Sequence, residues 1–440
     1  MQNTPKLKQG FLESYFDLSK NNTNIKTEIL AGITTFMTMA YILVVNPGIL
    51  SEAGMNYGAV FTATAVSAAI ATFITGVYAK LPFAQAPGMG LNAFFAYTIV
   101  IAMGHTWQFA LTTVFLEGII FILLTAFNVR EAIINSIPQN VKNAISVGIG
   151  ILIAFIGLEN AGIIVHPKTG TIVTLGNVTS GPALLSIIGI VITGALLARN
   201  VKGSLLIGII ITTIIGIPMG ITKLPTAVVS APPSISSIFM KFEWHNIFTT
   251  DMFIALFTLL FMDMFDTVGA LVGVSTKAGM LDEKGNVPRA KQALLSDAIG
   301  TTLGACLGTS TVSTFAESAL GVAAGGRTGL TSVSTAVMFI IALFISPLFL
   351  MIPAAATAPS LVLVGLFMLS PIKEIELEDF TEAIPAFLTI IIMPLSFSVS
   401  DGIVFGIISY VVLKLLSGRR KEITITTYVV AILFIIKFFI

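Results

Sequence analysis

Charge is the scarcest commodity in this chain: Asp, Glu, Lys and Arg make up 10% of its 440 residues, whereas 55% are hydrophobic. A soluble domain carries about 25% charged residues, so a chain this long and this apolar cannot cover its surface in water. Its solvent is a lipid bilayer, which excludes a soluble enzyme. A formal net charge of +1 supplies no basic field to attract nucleic acid. Cysteine is nearly absent, and Cys306 alone excludes a disulfide framework and a cysteine-based metal site. The three histidines, His105, His166 and His245, fall between apolar runs, so neither a zinc site, another cofactor nor a histidine proton relay is expected. Residues 1–28 are polar and of mixed charge, without a short apolar core followed by a small-residue cleavage site. They read as a cytoplasmic segment rather than a cleaved signal peptide.

What fills the chain is apolar runs separated by polar or Gly/Pro breaks. They cover 29–47, 59–79, 84–103, 107–127, 141–158, 182–198 and 203–220, then 251–274, 291–308, 310–326, 331–352, 355–370, 381–397 and 400–417. A further apolar stretch occupies 425–440. Continuous rather than alternating runs predict an all-α polytopic membrane protein of about fourteen segments, not a strand barrel. With the N-terminus inside, Lys168, Lys223 and Lys241 fall outside and Lys437 in the last apolar stretch. Every other Lys and Arg gathers on the cytoplasmic side, as the positive-inside bias requires. Residues 238–249 carry Phe239, Phe242, Trp244 and Phe248 and predict a short interfacial helix. The acids Glu374, Glu376, Glu378, Asp379 and Glu382 read as a solvated cytoplasmic face.

The spacing hides a repeat. About seven segments precede the 221–250 loop and about seven follow it, and halves with an odd number of crossings insert with opposite topology. The expected organisation is therefore a first inverted repeat at 29–220, an extracellular loop at 221–250, a second repeat at 251–418 and a basic then apolar segment at 419–440. The third and tenth segments are short, and each opens on helix-breaking or hydroxyl residues, Gln85–Gly90 in one and Gly308–Thr314 in the other. Irregular backbone at membrane depth is tolerated only where protein buries it or where it lines a cavity. Two such breaks at matching positions predict a binding site between facing half-helices, next to Asn92 and Glu317.

Six carboxylates resist assignment to loops: Glu117, Asp263, Asp266, Asp297, Glu317 and Asp401. An ionised carboxylate at mid-membrane costs at least about 3 kcal/mol, so each requires a partner, a proton or a water-filled cavity. Asp263 and Asp266 lie three residues apart and predict a polar strip on one helical face. Asp263 and Glu317 are the first candidates for ligand binding and proton coupling, with Asp266 as a coupling or supporting group. Asp401 reads as a helix N-terminal residue, while Glu117 and Asp297 suit structural hydrogen bonding or coupling equally. Phe94, Phe95 and Phe315 adjoin the half-helices and are candidate stacking platforms for a flat ligand. Two aspartates on one helix argue against an aspartyl intramembrane protease, and carboxylates without a basic residue at the half-helices argue against an anion carrier.

Four stretches together carry a resemblance: Phe36–Tyr41, Gln85–Phe95, Asp263–Gly269 and Glu317–Thr331. They closely resemble the AzgA-like purine permeases of the nucleobase/cation symporter superfamily, from about Ile29 onward. The resemblance implies proton symport of a purine base, guanine or hypoxanthine before adenine, across the cytoplasmic membrane. It implies an inverted-repeat fold in which a core domain moves against a gate domain, and a homodimer is compatible with it. Carried over residue by residue, it points to Gly90, Asn92, Asp263, Asp266 and Glu317. Leu320 departs from the small alanine of many relatives and leaves the preferred purine open.

Overall fold

A computed structural model describes residues 11–126, 138–167, 173–225, 227–281, 287–396 and 399–437. Lys6, Lys8, Arg130, Lys168 and Lys284, used above for orientation, lie outside them. The chain is mostly helical. In order, the elements that matter are α1 (Phe11–Phe16), α2 (Ile25–Met39), α3 (Ile42–Glu52), α4 (Tyr57–Ile74), strand β1 (Gln85–Pro87), α5 (Met89–Ala93), α6 (Trp107–Ala126) and α7 (Gln139–Asn160). A small hairpin of β2 (Ile164–Val165) and β3 (Thr174–Leu175) leads to α8 (Gly181–Ala198) and α9 (Ser204–Gly216). After them come α10 (Thr250–Ala278), α11 (Ala290–Leu307), β4 (Val312–Thr314), α12 (Ser318–Ala323), α13 (Gly329–Phe344) and α14 (Ser346–Leu350). The last are α15 (Ala354–Met368), α16 (Phe380–Ser396), α17 (Val399–Leu416) and α18 (Ile425–Lys437). Among the described residues, six helices are long and apolar enough to cross a membrane and four more are apolar but shorter.

Local chemistry explains where these elements begin and break. The first span starts at Ile25, inside the stretch expected to be cytoplasmic, because the Asn24 side chain accepts from Thr27 N at 3.0 Å and caps the helix. The apolar run 331–352 divides into α13 and α14 around Ile345, where Pro347 opens the second piece at its first turn. The third segment continues past α5 as a π-helical stretch, Phe94–Ala102. Residues 236–249 form turns rather than the expected helix. Phe242 and Trp244 both pack against Phe115 of α6, while Phe239 and Phe248 stay exposed.

Packing divides the helices into two groups. One joins α2, α4, α6, α11, α12 and α13, with α10 against α6 and α12; the other joins α7, α8, α9, α15, α16 and α17. Lipid gives helices no hydrophobic reason to associate, so close approach through small residues must supply the contact energy. In the second group α7 crosses α15 at Gly150 and Gly365, where a Cβ on Gly150 would stand 2.7 Å from the Gly365 carbonyl oxygen. The final helix, α18, packs on α17 and brings Phe434 edge-on to Phe257 of α10, with centroids 6.0 Å apart.

The acidic stretch before α16 is more than a solvated face. Lys414, one of the basic residues assigned to the cytoplasmic side, is buried near the end of α17 and bonds Glu382 at 2.9 Å and Glu422 at 2.6 Å. Asn140 of α7 clamps the same stretch, donating to the Glu376 and Glu382 carbonyls and accepting from Glu376 N at 2.7 Å. Asp379 accepts from Thr381 Oγ1 at 2.8 Å and Thr381 N at 2.9 Å, and it also pairs with Arg419. These partners hold its carboxyl down at about 2, against 3.8 ordinarily, the Thr381 bonds contributing most. A depressed carboxyl stabilises the fold above its unfolded value and loses that contribution as pH falls through the folded one. Acidification from pH 4 to 2 is therefore expected to release Arg419 from the Asp379 turn. Hydrogen exchange across 417–423 should rise in that window, and less so in Asp379→Asn.

Candidate functional site

The two breaks anticipated in the sequence meet in space. Strand β1 pairs antiparallel with β4, in the register Gln85 opposite Thr314, Ala86 opposite Ser313 and Pro87 opposite Val312. Backbone bonds Gly88 N to Thr311 O and Phe315 N to Ala84 O, both 3.0 Å, extend the ladder at either end. Each strand is also clamped from the side by a threonine that both donates and accepts. Thr72 of α4 holds Gln85 through bonds of 2.9 Å, and Thr301 of α11 holds Val312 through bonds of 3.1 Å. Both ends of this short ladder and one position on each outer edge are thus hydrogen-bonded, as non-helical backbone inside a membrane protein requires. α5 and α12 consequently start from opposite ends of one fixed crossing.

Polar side chains converge on it, and a hydroxyl holds each of three. Asn92 of α5 accepts through Oδ1 from Ser310, and its Nδ2 has no partner among the described residues. Asp266 of α10 accepts through Oδ2 from Ser313 Oγ at 2.8 Å. Glu317, at the N-terminus of α12, accepts through Oε1 from the Tyr41 hydroxyl at 2.6 Å. Asp266 is exposed and Glu317 half-buried, while Asn92 and Tyr41 are enclosed. Gly88 leaves the needed space: a Cβ there would come within 2.6 Å of Ser313 Oγ and 3.3 Å of Asp266 Oδ2. Gly90 faces the second helix group, its missing Cβ 3.1 Å from Ile149 Cγ2 and 3.7 Å from Met368 Cε.

Asp263 belongs to different surroundings. It is fully buried, and Thr267 Oγ1 stands 3.2 Å from its Oδ1 and 3.0 Å from Asp297 Oδ2. Glu117 of α6, also fully buried, takes the Thr311 hydroxyl on Oε2 at 2.5 Å. The expectation that Asp263 and Asp266 form one polar strip therefore needs revision. Three residues along a helix turn the side chain by about 60° relative to a full circle, enough to carry it from the interior to the opening. Phe94, Phe95 and Phe315 are packed inside the main apolar core. Asp401 lies in the first turn of α17, as expected.

Several groups here escaped sequence reading. Tyr41, Ser310 and Ser313 lie within stretches whose composition is conspicuous, but nothing along the chain says which carboxylate or amide each hydroxyl meets. Glu28 was hidden by its nearness to the polar N-terminal segment. In the structure it is fully buried and accepts from Arg327 N, Thr328 N and Oγ1, and Thr331 N and Oγ1, at 2.6–3.2 Å.

The arrangement binds rather than reacts. Carboxylate oxygens accept and an amide N–H donates, so the geometry suits a small polar molecule carrying both donors and acceptors. Comparison with known proteins agrees. In overall shape the chain is similar to the transmembrane domain of a cyanobacterium bicarbonate transporter, BicA (TM-score 0.66, 16% identity, 87% of this chain and 97% of that one). In sequence it is 43% identical to the adenine permease AdeP of Escherichia coli K12, covering 98% of this chain and 96% of the relative. It is 41% identical to the guanine/hypoxanthine permease PbuG of Bacillus subtilis 168, covering 97% and 99%. The model of the Permease family (Xan_ur_permease) matches residues 26–405. The chain is a multi-pass membrane transporter and belongs to the xanthine/uracil-type Permease family, within the nucleobase/ascorbate transporter superfamily.

Proposed function

We propose that this transporter carries purine nucleobases into the cell together with protons, with guanine and hypoxanthine preferred over adenine. The reading rests above all on the β1–β4 crossing, beside which Asn92, Asp266 and Glu317 are each held by a hydroxyl. A purine is flat and neutral, with ring N–H groups beside carbonyl and ring-nitrogen acceptors. Glu317 and Asp266 would accept from its N–H groups and Asn92 Nδ2 would donate to an acceptor, while α5 and α12 present their amide ends. Gly90 keeps the first half-helix close to the facing helices, and Phe94 and Phe315 form the apolar walls behind the site. Asp263, with Glu317 and Asp266, would take up the coupling proton, since carboxyl groups gathered in a low-dielectric interior favour sharing one.

The same reading assigns the two helix groups to a core that carries the site and a gate it moves against, built as two inverted halves of about seven segments each. It places the N-terminus in the cytoplasm of a cell whose cytoplasmic membrane holds the protein. The named substrates of AdeP and PbuG support the purine class, and the BicA likeness supports the fold alone.

The test is uptake of labelled hypoxanthine into proteoliposomes under an inwardly directed proton gradient, with unlabelled competitors. Guanine in excess should suppress uptake, adenine less so and uracil least, and dissipating the gradient should abolish accumulation. Uptake indifferent to every purine, or competition by bicarbonate instead, would overturn the proposal in favour of an anion carrier of the same fold.

A further inference from the structure

We propose that Tyr41 is a positioning residue that orients Glu317 and sets the pH range over which the site binds its ligand; the inference rests on Glu317 being part of the purine and proton site. Tyr41 lies where the first span breaks between α2 and α3, and its ring is enclosed in the main core. The phenol can reach Glu317 from there only because the break turns it toward the start of α12, and it donates to Oε1 at 2.6 Å. A phenol held in protein gives its proton to a carboxylate oxygen in preference to receiving one, so the direction of the bond is set by chemistry. One carboxylate oxygen of the half-buried Glu317 is thereby fixed.

Hydrogen bonds to a charged acceptor are roughly twice as strong as neutral ones. Tyr41 consequently favours the ionised carboxylate over the acid and opposes uptake of a proton. Besides Tyr41, the elements packed against α12 carry Asp251, Asp263, Asp266 and Lys277 on α10 and Lys26 and Glu28 on α2, and Arg327 follows α12. Removing the phenol removes that bias and leaves the rest of the surroundings of Glu317 as they are. Ser313 plays the matching part for Asp266, bonding one oxygen at 2.8 Å and leaving the other unassigned.

The experiment measures equilibrium binding of labelled hypoxanthine to purified, detergent-solubilised full-length protein from pH 5 to 9, for wild type, Tyr41→Phe, Glu317→Gln and the double variant. Removing the phenol oxygen should move the pH midpoint of binding upward by about one unit, the amount expected from one charge-assisted hydrogen bond. In the Glu317→Gln background the same substitution should leave any remaining pH dependence in place. A Tyr41→Phe protein that loses affinity equally at every pH, with the midpoint unmoved, overturns the proposal and leaves Tyr41 a packing residue. The same upward shift in the Glu317→Gln background also overturns it, because the group sensed is then another acid. Wild-type protein that binds no purine at any pH defeats instead the purine reading on which the inference stands. Monodispersity of Tyr41→Phe in detergent keeps misfolding separate, and should that variant fail to fold, Tyr41→His with its shorter donor must still displace the midpoint for the proposal to stand.

Discussion

Glu317→Gln is expected to abolish gradient-driven accumulation of hypoxanthine while leaving the protein folded and inserted. The substitution keeps the shape of the side chain, so the Tyr41 hydroxyl can still donate to the remaining carbonyl oxygen. It replaces an acceptor-only carboxylate by a group with an N–H₂ face, and a ligand N–H directed at that face loses its partner. Removing one member of a charged hydrogen-bonded contact at a binding site typically costs about 2–5 kcal/mol, roughly a thirtyfold to several-thousandfold loss of affinity. The amide also cannot carry the coupling proton, so accumulation fails even where residual binding survives. Transport should be assayed by labelled uptake with and without a proton gradient, and Asp263→Asn examined in parallel. Asp263 is enclosed beside Asp297 and Thr267 rather than at the opening. Its amide variant should therefore damage gradient coupling more than equilibrium binding. Undiminished gradient-driven accumulation in both variants would remove these carboxylates from the mechanism.

Glu28→Ala is expected to produce the largest loss of stability of any single side-chain truncation considered. The carboxylate is inaccessible to solvent and draws together three backbone amides and two hydroxyls at the entry of α13. These amides lie just before and within the first turn of the helix, where an anion also meets the positive end of the helix dipole. Alanine strands those donors where water cannot replace the acceptor. A loss of about 3–5 kcal/mol is expected, in the range seen when one partner of a buried charged contact is removed. Glutamine should fall between, because it keeps one acceptor oxygen but turns an N–H₂ toward groups that are themselves donors. Unfolding midpoints of the detergent-solubilised protein, with and without hypoxanthine, will check the order wild type, Gln, Ala. Equal midpoints would mean that the α2–α13 junction is held by packing alone. Glu28 ties the first span to the segment that follows α12, so its loss should also loosen the base on which Glu317 is mounted.

The two cases mark how far the chain could be read directly. Apolar runs place most helices within a few residues, because the bilayer demands length and apolarity from each span independently of its neighbours. The breaks at Gln85–Gly90 and Gly308–Thr314 were visible for the same local reason: helix formers are missing there. Boundaries shifted where a cap or proline acted, as at Asn24 and Pro347. Residues 238–249 look amphipathic yet form turns and irregular backbone, with Phe242 and Trp244 in contact with Phe115.

By itself, then, the amino-acid sequence determined the solvent, the helical class, the two interrupted segments and the short roster of acids that loops do not explain. Family membership is legible in the same residues, because the motifs around the breaks are contiguous in the chain. Tertiary structure alone decided which acids face the opening. Asp266 and Asp263 differ by less than one turn, and only the packing of α10 against its neighbours exposes the first while enclosing the second with Asp297. The hydroxyls of Tyr41, Ser310 and Ser313 were beyond reach for a related reason. A hydrogen bond depends on a distance of about 3 Å, and the partners of Tyr41 and Ser310 are separated by more than two hundred residues of chain.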